Sequence, residues 1–284
     1  MPSRARMALI GAGTGVVLLA AVWYAAHYIA LGRSVDASVL SGFHDLTRPG
    51  LDRLTNFTAD LCDPHRYVFL AAIPVIVALV RGRPRVAAML VFVLLCANET
   101  TQLLKPLLTG PRDQAPGVWI DTASWPSGHA TAAMSLALCS VIAAPARRRP
   151  VVAGVMAAFA IAVSYSFLEL GWHYPSDVLG GFLVAGTWTL LGIAGLSIVE
   201  ARHAGSAAEP APAARPSFSV GEALAPVGVL AALACVLAGL ILLARPHEVL
   251  SYVRDHQAFV IGAGGIGALG TLLASGLTLM LRRT

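Results

Sequence analysis

Apolar residues dominate this chain in eight long runs, separated by short polar stretches. A helix that crosses the ~30 Å hydrocarbon core of a bilayer needs roughly 20 apolar residues. The second run is short, but it extends backward through Arg66 and His65. The pattern predicts an all-α, polytopic membrane protein whose eight helices lie near residues 7–31, 67–80, 86–104, 126–144, 151–170, 176–198, 222–244 and 258–281.

The composition supports a membrane location. Hydrophobic residues make up 57% of the 284 residues and charged residues 12%, whereas soluble domains carry roughly 25% charged residues. The net charge is +5, but the arginines are scattered at the ends of apolar runs, so nucleic-acid binding is not indicated. The first run exceeds the apolar region of a signal peptide, which spans about 7–15 residues, and lacks a clear cleavage site. We therefore expect it to be retained as a helix.

The charged residues also predict an orientation. Arginines cluster in alternate connections, and arginine enrichment marks the cytoplasmic side of a membrane. Both termini are therefore expected in the cytoplasm, and the chain in a bacterial plasma (inner) membrane. The connections expected on the extracytoplasmic side, which hold most of the acids, are residues 32–66, 105–125, 171–175 and 245–257.

An Ala- and Pro-rich segment divides the helices into two groups. Residues 201–220 are predicted to form a flexible cytoplasmic linker between a six-helix unit (1–200) and a two-helix extension (221–284). In the last helix, small residues recur at every fourth position, which permits close helix packing. Packing within the chain is favoured over self-association or a membrane-protein partner at residues 222–281. The small residues are Ala263, Gly267, Thr271 and Ser275.

Polar clusters lie at three helix ends on the predicted outer side. The first closes the third helix, where Asn98, Gln102 and Lys105 share one face. Snorkelling of Lys105 to the interface is the alternative explanation. The second, Pro126–His129, opens the fourth helix, whose free N–H groups offer an anion site. Taken alone, this tetrapeptide is equally well explained as an ordinary helix start.

The third cluster, from His173 to Asp177, lies between the fifth and sixth helices. A carboxylate four residues after a histidine can accept a hydrogen bond from one imidazole nitrogen and leave the other aimed outward. This arrangement makes the histidine a better nucleophile or base. Alone, His173 is also consistent with an interfacial histidine. Its coincidence with the other two clusters at one membrane depth favours a catalytic site.

These clusters resemble the signature of the type 2 phosphatidic acid phosphatase family, within the superfamily of lipid phosphate phosphatases and bacterial acid phosphatases. The signature reads Lys-x6-Arg-Pro, then Pro-Ser-Gly-His, then Ser-Arg-x5-His-x3-Asp. The resemblance covers residues 20–198 and implies the six-helix arrangement of that family. The residues that keep the motifs and their intervals are Lys105, Arg112, Pro126–His129, Ser166, His173 and Asp177.

The resemblance also implies a role for each residue. His173 attacks phosphorus to form a phosphohistidine, and Asp177 orients it. His129 protonates the leaving oxygen and later activates water. Catalysis of this kind depends on positioning and charge stabilisation, so no metal and no cofactor is expected, and the four cysteines suggest neither a disulfide framework nor a zinc site. The residues expected to hold the phosphate oxygens are Lys105, Arg112, Ser127 and Gly128.

Two positions depart from the signature. Asp113 replaces the proline that follows the first arginine, which is expected to alter only the loop. Phe167 replaces the arginine of the third motif, which is expected to grip the phosphate. A charge-assisted hydrogen bond contributes roughly 1.5–3 kcal/mol. Its loss is therefore expected to lower binding or rate by about 10- to 150-fold.

Residues near this departure are candidate modifiers of the site, namely Ser166, Phe167 itself and Glu169. Glu169 either faces the bundle in a functional role or is exposed at the interface or paired with Arg66. Arg66 is alternatively a substitute for the missing phosphate contact. Arg48 and Arg53 are expected on a solvated, amphipathic loop.

Three functions are compatible with this site. The leading hypothesis is metal-independent hydrolysis of a lipid phosphate or pyrophosphate, either a polyprenyl pyrophosphate or a phosphoglycerolipid, at the extracytoplasmic leaflet. The second is transfer of the phosphoryl group from the same intermediate to a sugar or lipid hydroxyl. The third is a catalytically weakened lipid-phosphate binder or scaffold. Phe167 and Glu169 favour the third function, and the intact His129, His173 and Asp177 oppose it.

Overall fold

The computed structural model describes residues 2–46, 50, 52–204 and 218–282. The chain is 83% helical and the described residues form no strand, which confirms the all-α prediction. A short 3-10 turn at Ala146–Arg148 precedes the seventh helix. The helices are α1 (Ser3–Tyr28), α2 (Ala30–His44), α3 (Asp52–Asp60), α4 (Pro64–Val80), α5 (Pro84–Leu107), α6 (Gly128–Ala143), α7 (Arg149–Glu169), α8 (Pro175–Ala204), α9 (Val220–Ala244), α10 (Pro246–Asp255) and α11 (Gln257–Met280).

Six helical segments of the described chain are long and apolar enough to cross a membrane, and they lie at α1, α5, α7, α8, α9 and α11. α4 passes the same test only together with α3, to which it is joined at a 60° bend. α6 has 16 residues and is shorter than the other predicted spans. The eight predicted spans therefore correspond to six long segments, one bent pair and one short helix.

α6 occupies the centre of the bundle. It packs against α4, α5, α7 and α8, and nearly all of its side chains are buried. Ser127 caps its first turn, and the helix ends at Ala143, shortly before Pro145. A helix enclosed in this way faces protein rather than lipid, so its apolar composition reflects the core.

Connections predicted at 32–66 and 245–257 contain three further helices, α2, α3 and α10. The first apolar run ends earlier than predicted, because Ile29 is extended (φ −96°, ψ 119°) and α2 begins at Ala30. Short amphipathic helices are missed by a search for continuous apolar runs, since half of each surface is polar. The stripe that α2 buries includes Asp36, Val39, Leu40 and Phe43.

A close contact between α6 and α8 brings two of the polar clusters together. A Cβ at Gly181 of α8 would lie 2.7 Å from the backbone oxygen of Ser127. Thr131 of α6 donates a hydrogen bond to the Gly181 carbonyl at 3.3 Å. Any larger residue at position 181 would push the helices apart. The first turn of α8 therefore lies beside the first turn of α6.

The C-terminal helices pack against the six-helix unit. α11 contacts α7 and α2, and Tyr165 of α7 donates a hydrogen bond to the Ala263 carbonyl at 2.6 Å. Gly267 also lies against Tyr165, and Thr271 and Ser275 are buried. The small-residue stripe is therefore used for packing within the chain.

α9 begins at Val220 behind a capping box formed by Ser219 and Glu222. It contacts α7 and α11, and most of its apolar side chains are exposed. The predicted linker lies outside the described residues from position 205 to position 217. This part includes Arg215, one of the arginines on which the predicted orientation rests.

Candidate active site

The first turn of α6 presents free backbone N–H groups at one end of the bundle. Ser127 is its N-cap, and the Ser127 hydroxyl accepts a hydrogen bond from the Ala130 N–H at 3.3 Å. The predicted helix start at Pro126 was wrong by two residues, because serine is a preferred cap and takes the position before Gly128. The Ser127 N–H donates to the backbone carbonyl of Asp177 at 3.0 Å, which ties this turn to α8.

His173 and Asp177 form the pair that their spacing predicts. The Asp177 carboxylate lies 3.2 Å from Nδ1 of His173 and accepts a hydrogen bond from the Tyr174 N–H at 3.0 Å. Burial lowers the pKa of His173 below its ordinary value, and Asp177 opposes this shift. The neutral imidazole is therefore favoured, with Nδ1 held and Nε2 left for chemistry.

Arg112 lies behind this pair in a buried ionic network. Its guanidinium donates to Asp177 at 2.6 Å and lies 3.4 Å from Asp36. The Tyr174 ring covers one face of the guanidinium, 4.1 Å from its central carbon. The Arg112 side chain is 1% exposed, so its charge is shared between two carboxylates.

Asp36 of α2 is a member of this network that the sequence argument missed. Its carboxylate accepts hydrogen bonds from the backbone N–H and the hydroxyl of Ser176, at 2.9 and 2.6 Å. Burial raises the pKa of Asp36 to about 6, although Arg112 opposes the shift. The available signal was the position of Asp36 on the same helical stripe as Val39, Leu40 and Phe43, which marks it as facing the protein.

His129 of α6 faces His173 across the site, with ring centroids 6.3 Å apart. Its Nε2 lies 3.0 Å from a carboxylate oxygen of Asp63, the residue before α4. Asp63 was a second omission of the sequence argument, which treated it only as one of the outer acids. The two histidines therefore each have one ring nitrogen on a carboxylate.

Phe167 forms an apolar wall beside both histidines. Its side chain is fully buried, and its ring centroid lies 5.4 Å from that of His173 and 5.9 Å from that of His129. The neighbouring Ser166 donates its hydroxyl hydrogen to the Val163 carbonyl at 2.7 Å, within its own helix. The position of the expected arginine is thus adjacent to the catalytic candidates, and an aromatic ring occupies it.

The other candidate modifiers lie away from this wall. Glu169 accepts a hydrogen bond from Thr55 of α3 at 3.3 Å. Arg66 forms its ion pair with Asp60 at 3.2 Å rather than with Glu169. Asp113 pairs with Arg33 at 3.1 Å, which attaches the loop to α2. Arg53 is exposed on α3, and Arg48 lies outside the described residues.

Lys105 lies on a groove that leads from His129 along the faces of α4 and α5. The groove has a volume of about 640 Å³. The predicted polar stripe of Asn98, Gln102 and Lys105 lines it together with Gly128. Its remaining walls are mostly apolar and include Val68, Ala71, Ala72, Val75, Ile76, Leu94 and Leu95.

The arrangement combines the parts that transfer of an anionic group requires. His173 offers an unprotonated nitrogen as nucleophile, and His129 offers a proton-transfer group across the site. Lys105 and the first turn of α6 supply positive potential. Groove and site are continuous at His129 and Gly128, so a substrate with an apolar tail fits both.

Comparison with known proteins shows what this segment is similar to. Residues 86–197 match the model of the PAP2 superfamily. This segment contains every motif residue from Lys105 to Asp177, so the resemblance deduced from the motifs is confirmed. No curated protein matches the chain.

The fold is also similar to a solved structure, described as the first transmembrane PAP2 type phosphatidylglycerolphosphate phosphatase from Bacillus subtilis. The TM-score is 0.54 at 21% sequence identity, and the match covers 67% of this chain and 96% of that chain. At this identity the likeness shows a shared fold. The all-α membrane fold predicted from the sequence is thereby confirmed, and it matches the fold of a PAP2 membrane phosphatase.

Proposed function

Taking the PAP2 superfamily segment at residues 86–197 as the premise, we propose that this protein hydrolyses a lipid phosphate or pyrophosphate through a phosphohistidine intermediate. The observation that carries the proposal is the His173–Asp177 pair, at 3.2 Å, facing His129 at the end of an apolar groove. The family and the PAP2-type structural neighbour support phosphatase chemistry in general.

The reaction proceeds in two steps. Nε2 of His173 attacks phosphorus while the bond to the leaving oxygen breaks, and that oxygen takes a proton from the His129 imidazolium. The neutral His129 then removes a proton from water, whose oxygen attacks the phosphohistidine and releases phosphate. Lys105, Arg112, Ser127 and the Gly128 N–H hold the phosphate oxygens in both steps. No step requires a metal ion.

The groove supports a lipid as substrate. Its walls on α4 and α5 are mostly aliphatic, and burial of a lipid tail contributes about 0.8 kcal/mol per methylene. A soluble phosphate ester would gain nothing from such a surface. Polyprenyl pyrophosphates and phosphoglycerolipids both present a phosphate at the end of long tails, and both suit this shape.

The location proposed is the outer leaflet of a bacterial plasma membrane. The turns that carry Arg112 and His173 belong to connections poor in arginine. The arginine clusters at 81–85 and 147–149 lie at the opposite helix ends. By the positive-inside rule the site faces outward and both termini face the cytoplasm.

A panel of lipids tests the activity. We expect the purified protein to release phosphate from at least one polyprenyl or glycerol lipid phosphate in the presence of a chelator. His173→Ala should lower that release at least ~10³-fold, because it removes the nucleophile. His203→Ala, which alters an exposed histidine at the other end of α8, is the matched control. Full activity in His173→Ala would contradict the mechanism.

A second candidate is a weakened or redirected enzyme, which the aromatic ring of Phe167 favours. Labelled donor lipid, supplied with sugar and lipid hydroxyl acceptors, separates the alternatives. Label found only in free phosphate supports hydrolysis, and label found on an acceptor supports transfer. Saturable lipid-phosphate binding without turnover supports a binding protein, in which α9–α11 are available for a membrane partner.

A further inference from the structure

Resting on the proposed function, we propose that Asp63 is a positioning residue for His129. It holds one nitrogen of the imidazole and fixes the orientation of the ring. His129 then donates its proton to the leaving oxygen from Nδ1, the other nitrogen. Asp63 itself neither gains nor loses a proton in this step.

The geometry at the start of α4 directs the Asp63 carboxylate to His129. Asp63 is the N-cap of α4, and its backbone carbonyl accepts hydrogen bonds from the N–H groups of Arg66 and Tyr67, at 3.0 and 2.8 Å. An aspartate at this position usually caps the helix with its side chain. Here the side chain makes no capping bond, and its oxygen lies 3.0 Å from Nε2 of His129.

The Asp63–His129 pair resembles the Asp177–His173 pair, except that the carboxylate contacts the other imidazole nitrogen. His173 is held at Nδ1 by Asp177, which leaves Nε2 for phosphorus. His129 is held at Nε2 by Asp63, which leaves Nδ1 for the leaving oxygen. A carboxylate on one nitrogen determines which of the two nitrogens can exchange a proton with the substrate. The orientation of the general acid therefore depends on Asp63.

Other titratable groups lie around His129 on the neighbouring elements. His173 faces it across the site. Lys105 and Glu99 line the shared groove, with Glu99 on the exposed face of α5. Asp63 is the carboxylate that contacts the His129 ring directly.

A positioning role and a purely structural role of Asp63 predict different losses of kcat/KM for substrates with different leaving groups. With a lipid alkyl phosphate, whose leaving oxygen requires a proton, we expect Asp63→Asn to lower kcat/KM by about 10- to 100-fold. With 4-nitrophenyl phosphate in the same detergent, whose leaving oxygen needs no proton, the loss should stay below about 3-fold.

Three further variants serve as controls. Asp60→Asn removes a nearby carboxylate that pairs with Arg66 and should leave both substrates unaffected. Asp63→Glu keeps the charge and should restore the wild-type ratio of the two kcat/KM values within about 3-fold. Asp63→Ser removes the carboxylate in a second way, so the comparison holds if the asparagine variant fails to fold.

The outcomes are distinct. Wild-type rates on the lipid in Asp63→Asn and Asp63→Ser, or equal losses on both substrates, would overturn the role of Asp63 while the proposed function stands. Absence of phosphate release by the wild-type protein would overturn the proposed function and this role with it. A loss confined to the lipid supports the proposal.

Discussion

At the residue scale, two cations expected at the phosphate are in different surroundings. Lys105 lines the groove, open to a ligand. Arg112 is buried between Asp177 and Asp36, so removing it leaves two carboxylates without their counter-charge. Binding of phosphate by Arg112 stays a prediction, and its contacts give it the additional task of supporting Asp177.

We therefore expect Arg112→Ala and Lys105→Ala to differ in stability. Breaking a buried ion pair costs about 3–5 kcal/mol, so Arg112→Ala should lower the free energy of unfolding by that amount. Lys105→Ala should change it by less than about 0.5 kcal/mol and lower kcat/KM for the lipid by about 10-fold or more. Denaturation in detergent, measured beside turnover, checks both. Unchanged stability in Arg112→Ala would show that the arginine acts on substrate alone.

A second feature at the residue scale is the aromatic ring of Phe167, which stands where an arginine is expected. An arginine at this fully buried position would require a partner, since burying an unpaired cation is costly. Phosphate is such a partner, but only while substrate is bound. The ring instead gives the two imidazoles an apolar wall. In the proposed mechanism, charge stabilisation is then left to Lys105, Arg112 and the first turn of α6.

At the element scale, the decisive feature is the groove along α4 and α5. Its lining from α4 includes Val68, Ala72 and Val75. The small side chain of Ala72 leaves room that a tail can occupy. The adjacent Ile73 does not line the groove and is 55% exposed.

Blocking the groove should separate lipid from soluble substrates. We expect Ala72→Trp to lower kcat/KM for a long-chain lipid phosphate by about 10-fold, because it excludes about two methylenes worth ~0.8 kcal/mol each. Turnover of 4-nitrophenyl phosphate should change by less than about 2-fold. Ile73→Trp, on the other face of α4, should affect neither. Equal losses on both substrates in Ala72→Trp would argue against a tail-binding groove.

At the scale of the whole molecule, the C-terminal helices are coupled to the site through α2. Tyr252 of α10 donates a hydrogen bond to the Gly42 carbonyl, and Phe259 of α11 packs on Phe43 with ring centroids 4.9 Å apart. α2 also carries Asp36, which contacts Arg112. A displacement of α11 is therefore expected to reach the ionic network behind His173.

Two glycines of α11 test this coupling. A Cβ at Gly262 would lie 2.5 Å from Val39 of α2, whereas a Cβ at Gly264 meets nothing within 4 Å. Gly262→Ala should destabilise the protein by about 1–3 kcal/mol and lower lipid turnover. Gly264→Ala should be neutral or stabilise it by up to ~1 kcal/mol, as expected for a helix interior. Thermal unfolding and phosphate release measure both effects, and identical behaviour of the two variants would contradict the coupling.

The sequence by itself determined the parts that depend on local spacing. Continuous apolar runs predicted the long helices, because a bilayer or a buried core requires them. The spacing from His173 to Asp177 predicted their contact, which forms at the start of α8: Asp177 lies in the first turn and His173 two residues before the helix. Motif intervals predicted the family, and composition predicted the absence of strands.

Only the tertiary structure decided which distant residues meet. Asp63 contacts His129, and Asp36 contacts Arg112 and Ser176, each across more than 60 residues of the chain. No local pattern encodes such contacts. The contact of Glu169 with Thr55 likewise depended on how α3 lies against α7. The pairing of Arg66 with Asp60 depended on the bend between α3 and α4. Long-range contacts of this kind follow from packing, in which side-chain shape and burial across several helices act together.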